Sequence, residues 1–355
     1  MSETLTSAAA ERGPLAMEAI SISKDFRIGH GQILHAVRDV TFNLYRGAVV
    51  ALVGESGSGK STAARLLAGQ ERLTSGRIRL DGKPVEVSSR RDFRRYKSEV
   101  QLVFQDPFSS LNPVHTVRHH LERPVKLHQK AADVSQEVVT LLEQVRLTPA
   151  KQFLPKYPHE LSGGQRQRVS FARALAARPE VLLADEPVSM LDVSIRLEML
   201  GLLDDLRLRF RLAMLYITHD IASARYFADE VLVMYAGEIV ERGPAEEITQ
   251  HPAHPYTQLL VASAPDPDNL GSALRGGTRR APGNQTATGR RIAEGPAAVG
   301  CPFSPRCPFA DERCRKDDPP LMQISPTRGA ACWHLDMAAP EVAAGPRGGG
   351  GTTTS

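Results

Sequence analysis

One short segment limits the possible folds of this chain more than any other. Residues 54–61 read G-x-x-x-x-G-K-S, directly after the apolar run Val49–Val53 and before a helical run at residues 62–67. A strand, a glycine-rich turn and a helix start in this order point backbone N–H groups and the positive end of a helix dipole at an anion. The flanking strand and helix argue against a glycine- and serine-rich loop that matches by chance. The segment therefore predicts a binding loop for the phosphates of a nucleoside triphosphate.

The residue types in this loop have a chemical reason. A lysine brings a point charge to the β- and γ-phosphates, and the hydroxyl that follows it is a ligand for Mg²⁺. The lysine, Lys60, is also predicted to be catalytic because it stabilises charge on the γ-phosphate. The predicted binding residues of the loop are Gly54, Glu55, Ser56, Gly57, Ser58, Gly59, Lys60, Ser61 and Thr62.

A second apolar run ends in two carboxylates. Residues 181–184 are Val-Leu-Leu-Ala, and Asp185 and Glu186 follow at the predicted strand end. A carboxylate in the place of Asp185 can hold Mg²⁺ through its coordination shell. Glu186 can accept a proton from the attacking water or orient it, although an acid here could also cap a helix. The two runs together predict a Mg²⁺-dependent ATPase or GTPase, and no guanine-reading motif is apparent.

The order of the elements predicts the fold class. From about residue 19 to residue 265, apolar strand runs alternate with helical patterns, which is typical of an α/β P-loop core with a mostly parallel sheet. Between residues 106 and 160 the strand signal disappears, and Val134, Val138, Leu141, Leu142 and Val145 recur at helical spacing. We therefore predict a core at 18–265 with a helical insertion at 106–160. The predicted remainder is a flexible start at 1–17, a linker at 266–300, a small cysteine-bearing module at 301–335 and a disordered tail at 336–355.

Composition excludes several classes of protein. No run approaches the ~20 apolar residues that a membrane-spanning helix needs, and the first residues lack the pattern of a secretory signal. A net charge of +4 with a single Trp argues against a nucleic-acid partner. All four cysteines follow position 300, and in a cytosolic chain they indicate metal ligands or free thiols rather than disulfides.

Residues 161–165, Leu-Ser-Gly-Gly-Gln, resemble the signature sequence of the ATP-binding cassette (ABC) ATPases. Ser-Gly-Gly at a helix start is a second anion-binding site built from free N–H groups. The resemblance implies that the nucleotide is ATP. It also implies a head-to-tail dimer, in which this segment covers the γ-phosphate bound by the lysine loop, residues 54–61, of the partner subunit. The residues it implies are Ser162, Gly163, Gly164 and Gln165.

The same resemblance implies roles for four more residues. Gln105 corresponds to the glutamine that senses Mg²⁺ and leads into the helical insertion, and Asp192 to the acid of a loop at the dimer interface. His219 corresponds to the switch histidine that contacts the γ-phosphate. Phe26 stands where the family has an aromatic residue that stacks on adenine, commonly Tyr, and edge-strand packing is its alternative role.

Three further segments resemble one branch of the family, the ATPase subunits of oligopeptide and dipeptide importers and of their nickel-importing relatives. They are Tyr-Pro-His-Glu at 157–160, Asp-Glu-Pro-Val-Ser at 185–189 and His-Pro-Tyr-Thr at 254–257. The resemblance implies an ATPase subunit held at the cytoplasmic face of the membrane by two permease subunits. It also implies a second ATPase subunit, identical or paralogous, and an extracytoplasmic solute-binding protein. The alternatives are an importer for nickel or another solute, an exporter subunit, a soluble ABC ATPase and a redox sensor.

The cysteines are spaced C-x5-C-x6-C-x17-C, too widely for a two-residue zinc knuckle and unlike a ferredoxin run. Some members of this importer branch carry a [4Fe–4S] cluster on such a tail. The resemblance implies that ligand set for Cys301, Cys307, Cys314 and Cys332, with zinc or unligated thiols as the alternatives.

Overall fold

The fold is taken from a computed structural model, which describes residues 13–86, 89–106, 110–129, 131–263 and 299–338. The strands of this part are β1 Leu15–Arg27, β2 Ile33–Tyr45, β3 Val49–Val53, β4 Ser75–Leu80, β5 Lys83–Pro84, β6 Val100–Val103, β7 Val181–Asp185, β8 Ala213–Thr218, β9 Glu230–Tyr235, β10 Glu238–Pro244, β11 Met322–Ser325 and β12 Arg328–Ala330. The helices are α1 Lys60–Leu67, α2 Arg90–Glu99, α3 Val117–His128, α4 Val134–Gln144, α5 Ala150–Phe153, α6 Gly163–Leu175, α7 Val193–Phe210, α8 Ile221–Phe227, α9 Ala245–Gln250, α10 Pro255–Ser263, α11 Glu312–Lys316 and α12 Leu335–Ala338. Short 3-10 turns occupy Gly29–Gly31, Pro158–Glu160 and Ser304–Arg306.

The central sheet has the strand order β11-β12-β10-β9-β3-β8-β7-β6. The five strands from β9 to β6 are parallel, and the other three are antiparallel. β3, β7 and β8 are buried at every position, which matches the near-continuous apolar runs expected of parallel strands covered on both faces. The prediction of an α/β fold with a mostly parallel sheet is confirmed.

A second, antiparallel sheet of order β2-β1-β4-β5 covers one side of the core. Successive residues of β3 point to opposite faces, so the strand contributes to two apolar cores. Val50 and Leu52 pack with the antiparallel sheet and α1, whereas Val49, Ala51 and Val53 pack with the helices on the other face. This sandwich places the loop after β3 at the carboxyl edge of the parallel strands, where ligands bind in open α/β sheets.

The residues predicted as a helical insertion do form helices. They contain α3, α4, α5 and the turn Pro158–Glu160, and buried Leu121, Val138 and Leu142 join them to the larger core. Asp133 caps α4 by accepting from the N–H groups of Ser135 and Gln136. That residues 106–160 form a subdomain of their own stays a prediction.

The structure differs from the predicted boundaries at both ends. β1 begins at Leu15, and Ala16 and Met17 are buried, so the start predicted as flexible reaches three residues too far. Residues 1–12, most of the predicted linker and the tail from residue 339 lie outside the described residues. Residues 336–338 belong to α12 rather than to the predicted disordered tail.

The cysteine-bearing segment continues the central sheet. β12 pairs with β10, where Glu241 lies opposite Ala330, and β11 pairs with β12. The sequence predicted a separate module because these strands are too short for an apolar alternation to show. Among the described residues, no helix is long and apolar enough to cross a membrane.

Candidate nucleotide-binding site

The loop between β3 and α1 depends on glycines that lie against neighbouring backbone. Gly59 has φ +105°, and a Cβ added there would lie 2.2 Å from the Ala36 carbonyl oxygen on β2. At Gly54 a Cβ would lie 2.2 Å from the Met234 carbonyl oxygen on β9. The Gly237 N–H also donates to the Ser58 carbonyl at 2.9 Å. The loop is therefore pressed between two strands, and no side chain fits at either glycine.

Lys60 is folded back into this loop. Its Nζ donates to the carbonyl oxygens of Gly54 and Glu55, both at 2.8 Å, and the residue is 4% exposed. Burial lowers the pKa of the Lys60 ammonium, and the negative charges of Glu186, Asp185 and Glu55 oppose that shift. An ammonium held by carbonyl dipoles in a buried loop is well placed to bind phosphate oxygens.

Ser61 and Asp185 form the next part of the site. The Ser61 Oγ donates to the Asp185 Oδ1 at 3.0 Å, which joins the start of α1 to the end of β7. Burial raises the pKa of the Asp185 carboxyl, and the Ser61 hydrogen bond opposes the rise. A hydroxyl and a buried carboxylate side by side are hard oxygen ligands of the kind that Mg²⁺ prefers.

Glu186 is the centre of a small polar network. Its Oε2 accepts from the Gln105 Nε2 at 2.9 Å and lies 3.2 Å from the His219 Nδ1. The Glu186 backbone has φ +46°, and its N–H donates to the Ile217 carbonyl on β8 at 2.9 Å. A non-glycine residue held in this left-handed conformation is typical of functional sites, where the surrounding structure compensates for the strain. The network can hold and orient a water molecule and take up its proton.

The structure thus joins six predicted residues through hydrogen bonds, ion pairs or direct charge effects. They are Lys60, Ser61, Gln105, Asp185, Glu186 and His219.

The signature segment forms a separate helix start. Ser162 caps α6 by accepting from the Gln165 N–H at 3.3 Å, and the Gln165 side chain accepts from the Ser162 N–H at 3.1 Å. A Cβ on Gly164 would lie 3.0 Å from Ile195 on α7, and Asp192 is the N-cap residue that precedes this helix. Within the described residues, no hydrogen bond or ion pair links Ser162, Gly163, Gly164 or Gln165 to the lysine loop. Their predicted role against a second subunit stays a prediction.

Phe26 lies on β1 opposite Leu34 of β2. The Lys24 ammonium is 4.8 Å from the centre of the Phe26 ring. β2 also carries Ala36, whose carbonyl contacts Gly59, so Phe26 lies on the sheet that lines one side of the loop. Stacking of Phe26 on adenine stays a prediction.

Sequence reasoning missed two residues that contact the loop. The Tyr256 hydroxyl accepts from the Glu55 N–H at 2.8 Å, and Arg306 pairs with the Glu55 carboxylate. Tyr256 belongs to the His-Pro-Tyr-Thr segment, which served only as a mark of the family branch. Arg306 is 251 residues from Glu55 in the sequence, and no pattern pairs the two.

The four cysteines line one cavity together with His254 and His334. Burial raises the pKa of Cys301 and of Cys332 to about 11, so both are neutral thiols when no metal is bound. Among the described residues, only Asp311, Cys314 and His334 bring three metal-ligating atoms within 4.8 Å of one another. Asp311 and His334 were not predicted as site residues.

The fold and the network around Lys60 define a P-loop ATPase. Two family profiles match this chain, "ABC transporter" over residues 37–189 and "Oligopeptide/dipeptide transporter, C-terminal region" over residues 240–314. The chain belongs to the family of ABC transporter ATP-binding proteins. It is 39% identical to the di/tripeptide transport ATP-binding protein DppF of Pseudomonas aeruginosa over 320 residues, which cover 89% of this chain and 94% of the relative. It is also 39% identical to the oligopeptide transport ATP-binding protein OppF of Streptococcus mutans over 255 residues, 71% of this chain and 82% of the relative.

Solved structures agree with this assignment. The chain is similar to cbiO1 of Clostridium perfringens, part of an ABC transporter complex, with a TM-score of 0.59 and 28% identity over 66% of this chain and 90% of that one. It is also similar to an ATP-binding cassette solved as a dimer with ADP and Pi in a post-hydrolysis state. The TM-score there is 0.58, with 27% identity over 64% of this chain and 98% of the other.

Proposed function

We propose that this chain is the ATPase subunit of an importer of dipeptides and oligopeptides. The observation that carries the proposal is the length of the similarity to peptide transport proteins, which continues past the cassette. The DppF relative matches 89% of this chain, and the peptide-transporter profile covers residues 240–314. Import of nickel or of another small solute is the second candidate, because the sequence segments that mark this branch are shared with nickel importers.

ATP hydrolysis at the site uses the residues that the geometry brings together. Lys60 and the loop N–H groups bind the β- and γ-phosphates, and Ser61, Gln105 and Asp185 are the side chains suited to Mg²⁺. Glu186 orients a water molecule and takes its proton as the water oxygen bonds to the γ-phosphorus and the bond to the β-phosphate oxygen breaks. His219, 3.2 Å from Glu186, stabilises charge on the γ-phosphate.

Two ATPase subunits complete each other in this proposal. Ser162 of the partner subunit, with the helix start behind it, covers the γ-phosphate bound at Lys60. Asp192 lies at the subunit interface, and Phe26 stacks on adenine. The helices within residues 106–160 carry the closure of the two subunits to a permease. The remaining partners are two permease subunits and an extracytoplasmic solute-binding protein, which hold this chain peripherally at the cytoplasmic face of the membrane.

The test is uptake of a labelled dipeptide by cells that lack the gene. The cells are complemented with the wild type, with Glu186→Gln or with Lys316→Met. Lys316 is an exposed residue of the C-terminal segment, residues 299–338, and its substitution serves as the control. We expect uptake with the wild type and the control and none with Glu186→Gln. If uptake does not depend on this chain, the peptide proposal fails. Labelled nickel is then the next substrate, and a soluble ABC ATPase is favoured if neither uptake depends on this chain.

We also propose a [4Fe–4S] cluster on Cys301, Cys307, Cys314 and Cys332. Support comes from the single cavity that all four cysteines line. A tetrahedral zinc site with Zn–S bonds of ~2.3 Å brings its sulfurs within about 3.8 Å of one another. No three of these sulfurs lie within 4.8 Å of one another, a wider spacing than a zinc site of four cysteines needs. When bound, the cluster would supply a structural cross-link with one-electron redox chemistry.

Metal analysis of the full chain, purified without oxygen, tests this proposal. We expect about four iron and four sulfide per chain, lost together in Cys301→Ser. One zinc per chain, lost in His334→Gln, would instead place a metal on Asp311, Cys314 and His334. A chain with neither iron nor zinc has free thiols, and the cluster proposal then fails.

A further inference from the structure

The C-terminal segment reaches the phosphate-binding loop through one arginine. The two terminal nitrogens of Arg306 each donate to a different oxygen of the Glu55 carboxylate, both at 2.9 Å. This two-point geometry orients both groups more strongly than a single contact would. The side chains are 40% and 43% exposed, so the pair contributes little to folding stability. Because Glu55 lies in the phosphate-binding loop, the pair points to a role other than folding stability.

The residues around the pair fix Arg306 in place. Phe303 is 2% exposed, and its ring centre lies 5.5 Å from that of Tyr256, whose hydroxyl accepts from the Glu55 N–H. The Arg306 guanidinium lies 5.5 Å from the Phe303 ring centre and 5.9 Å from that of Tyr235. Glu55 is thus held twice, by Tyr256 at its backbone and by Arg306 at its side chain.

Glu55 is an acid in a loop that binds anions. Its negative charge acts on Lys60, where it opposes the lowering of the ammonium's pKa by burial. A carboxylate that interacts with the phosphate-binding lysine also repels the phosphates. A cation bound to that carboxylate cancels most of the repulsion at close range.

We propose that Arg306 is a positioning residue for nucleotide binding, which neutralises Glu55 and holds its carboxylate away from the phosphates. The proposal rests on the assignment of the lysine loop to ATP. It gives the C-terminal segment a direct effect on nucleotide affinity, exerted by a residue that does not touch the nucleotide.

A double-mutant cycle on the full-length chain separates this role from a structural one. The affinity for MgATP is measured by calorimetry for the wild type, Arg306→Gln, Glu55→Gln and the double variant. We expect Arg306→Gln to weaken binding by about 3- to 10-fold at low salt, because it leaves an uncompensated carboxylate in the loop. The loss shrinks as salt rises. The double variant binds at least as tightly as the wild type, since no carboxylate remains to be neutralised.

Arg315→Gln is the matched control, because it removes one positive charge from the same segment and Arg315 makes no contact with Glu55. Wild-type affinity in Arg306→Gln would overturn the inference. So would equal weakening in Arg306→Gln and the double variant, because Arg306 would then only hold the segment in place. If the wild type itself does not bind MgATP, the ATP site is wrong and the inference falls with it.

Discussion

A buried ion pair fastens the C-terminal segment to the central sheet, and removing it has a predictable cost. Arg328 on β12 is 5% exposed, and its Nη2 donates to the Glu241 Oε1 on β10 at 2.9 Å. Glu241 is fully buried, and its carboxylate also accepts from the N–H groups of Ala253 and His254, at 2.8 and 2.9 Å. Arg328→Met keeps most of the side-chain volume but leaves the carboxylate buried without a cation.

The size of the effect follows from what remains around Glu241. Breaking a buried pair by removing one partner costs ~3–5 kcal/mol. Because two backbone donors still solvate the carboxylate, we expect the lower end, about 3 kcal/mol. With a denaturant dependence of ~3 kcal/mol per molar urea, the unfolding midpoint falls by about 1 M. The double variant Arg328→Met/Glu241→Gln removes the buried charge, so it should regain roughly 1–2 kcal/mol.

The chain contains its own probe for this experiment. Trp333 is the single tryptophan, and its Nε1 donates to the Asp317 carbonyl at 3.0 Å within the C-terminal segment. Its fluorescence reports on that segment, whereas far-ultraviolet circular dichroism reports on the whole chain. If the segment and the sheet are one cooperative unit, both signals change at the same urea concentration in the wild type and shift together in Arg328→Met.

The control is Lys316→Met, which breaks an exposed pair with Glu312 in the same segment and should change stability by less than about 0.5 kcal/mol. The reasoning is refuted if Arg328→Met moves the fluorescence transition and leaves the circular dichroism midpoint in place. The segment would then be a separate module, as the sequence suggested.

Three more predictions concern the site and its surroundings. Glu186→Gln should lower the hydrolysis rate by about 10²–10⁴-fold and retain MgATP binding, and phosphate release at the normal rate would contradict the assigned role. Gly59→Ala should abolish MgATP binding, because its Cβ would lie 2.2 Å from a backbone oxygen. The control is Gly201→Ala, whose Cβ would have no atom within 4 Å; it should stabilise α7 by up to ~1 kcal/mol in thermal unfolding. Burial lowers the pKa of His254 from 6.5 to about 4, so between these pH values His254 is protonated in the unfolded chain and neutral in the folded chain. Stability should therefore fall by roughly 3 kcal/mol from pH 6.5 to pH 4, and urea titrations of His254→Gln should lack this slope.

The structure brings together Lys60, Ser61, Asp185 and Glu186, which the sequence predicted from short local patterns, and their roles toward a nucleotide stay predictions. The loop and the two carboxylates each follow an apolar run, and parallel strands bring their carboxyl ends to one edge. Ser61 and Asp185 are 124 residues apart in the sequence, yet their side chains meet at 3.0 Å. Knowing that β3 and β7 lie in one parallel sheet is enough to expect this contact.

The C-terminal segment was predicted less well, for two physical reasons. β12 has three residues, so its pairing with β10 depends on tertiary contacts rather than on its own pattern. Contacts such as Arg306 with Glu55 join residues of ordinary surface types across the whole chain. Nothing in the spacing of either residue distinguishes it from a solvated charge.

The contact of Arg306 with Glu55 links the cysteine cavity to the ATP site. The turn Ser304–Arg306 lies between Cys301 and Cys307, so the proposed cluster, bound to both cysteines, would fix the turn that carries Arg306. Arg306 in turn holds the acid of the phosphate-binding loop. If the proposed cluster binds there, its loss would release the turn and, through Glu55, weaken ATP binding. In the proposed arrangement, the C-terminal segment supplies the positive charge that neutralises Glu55, and the affinity for ATP depends on that segment.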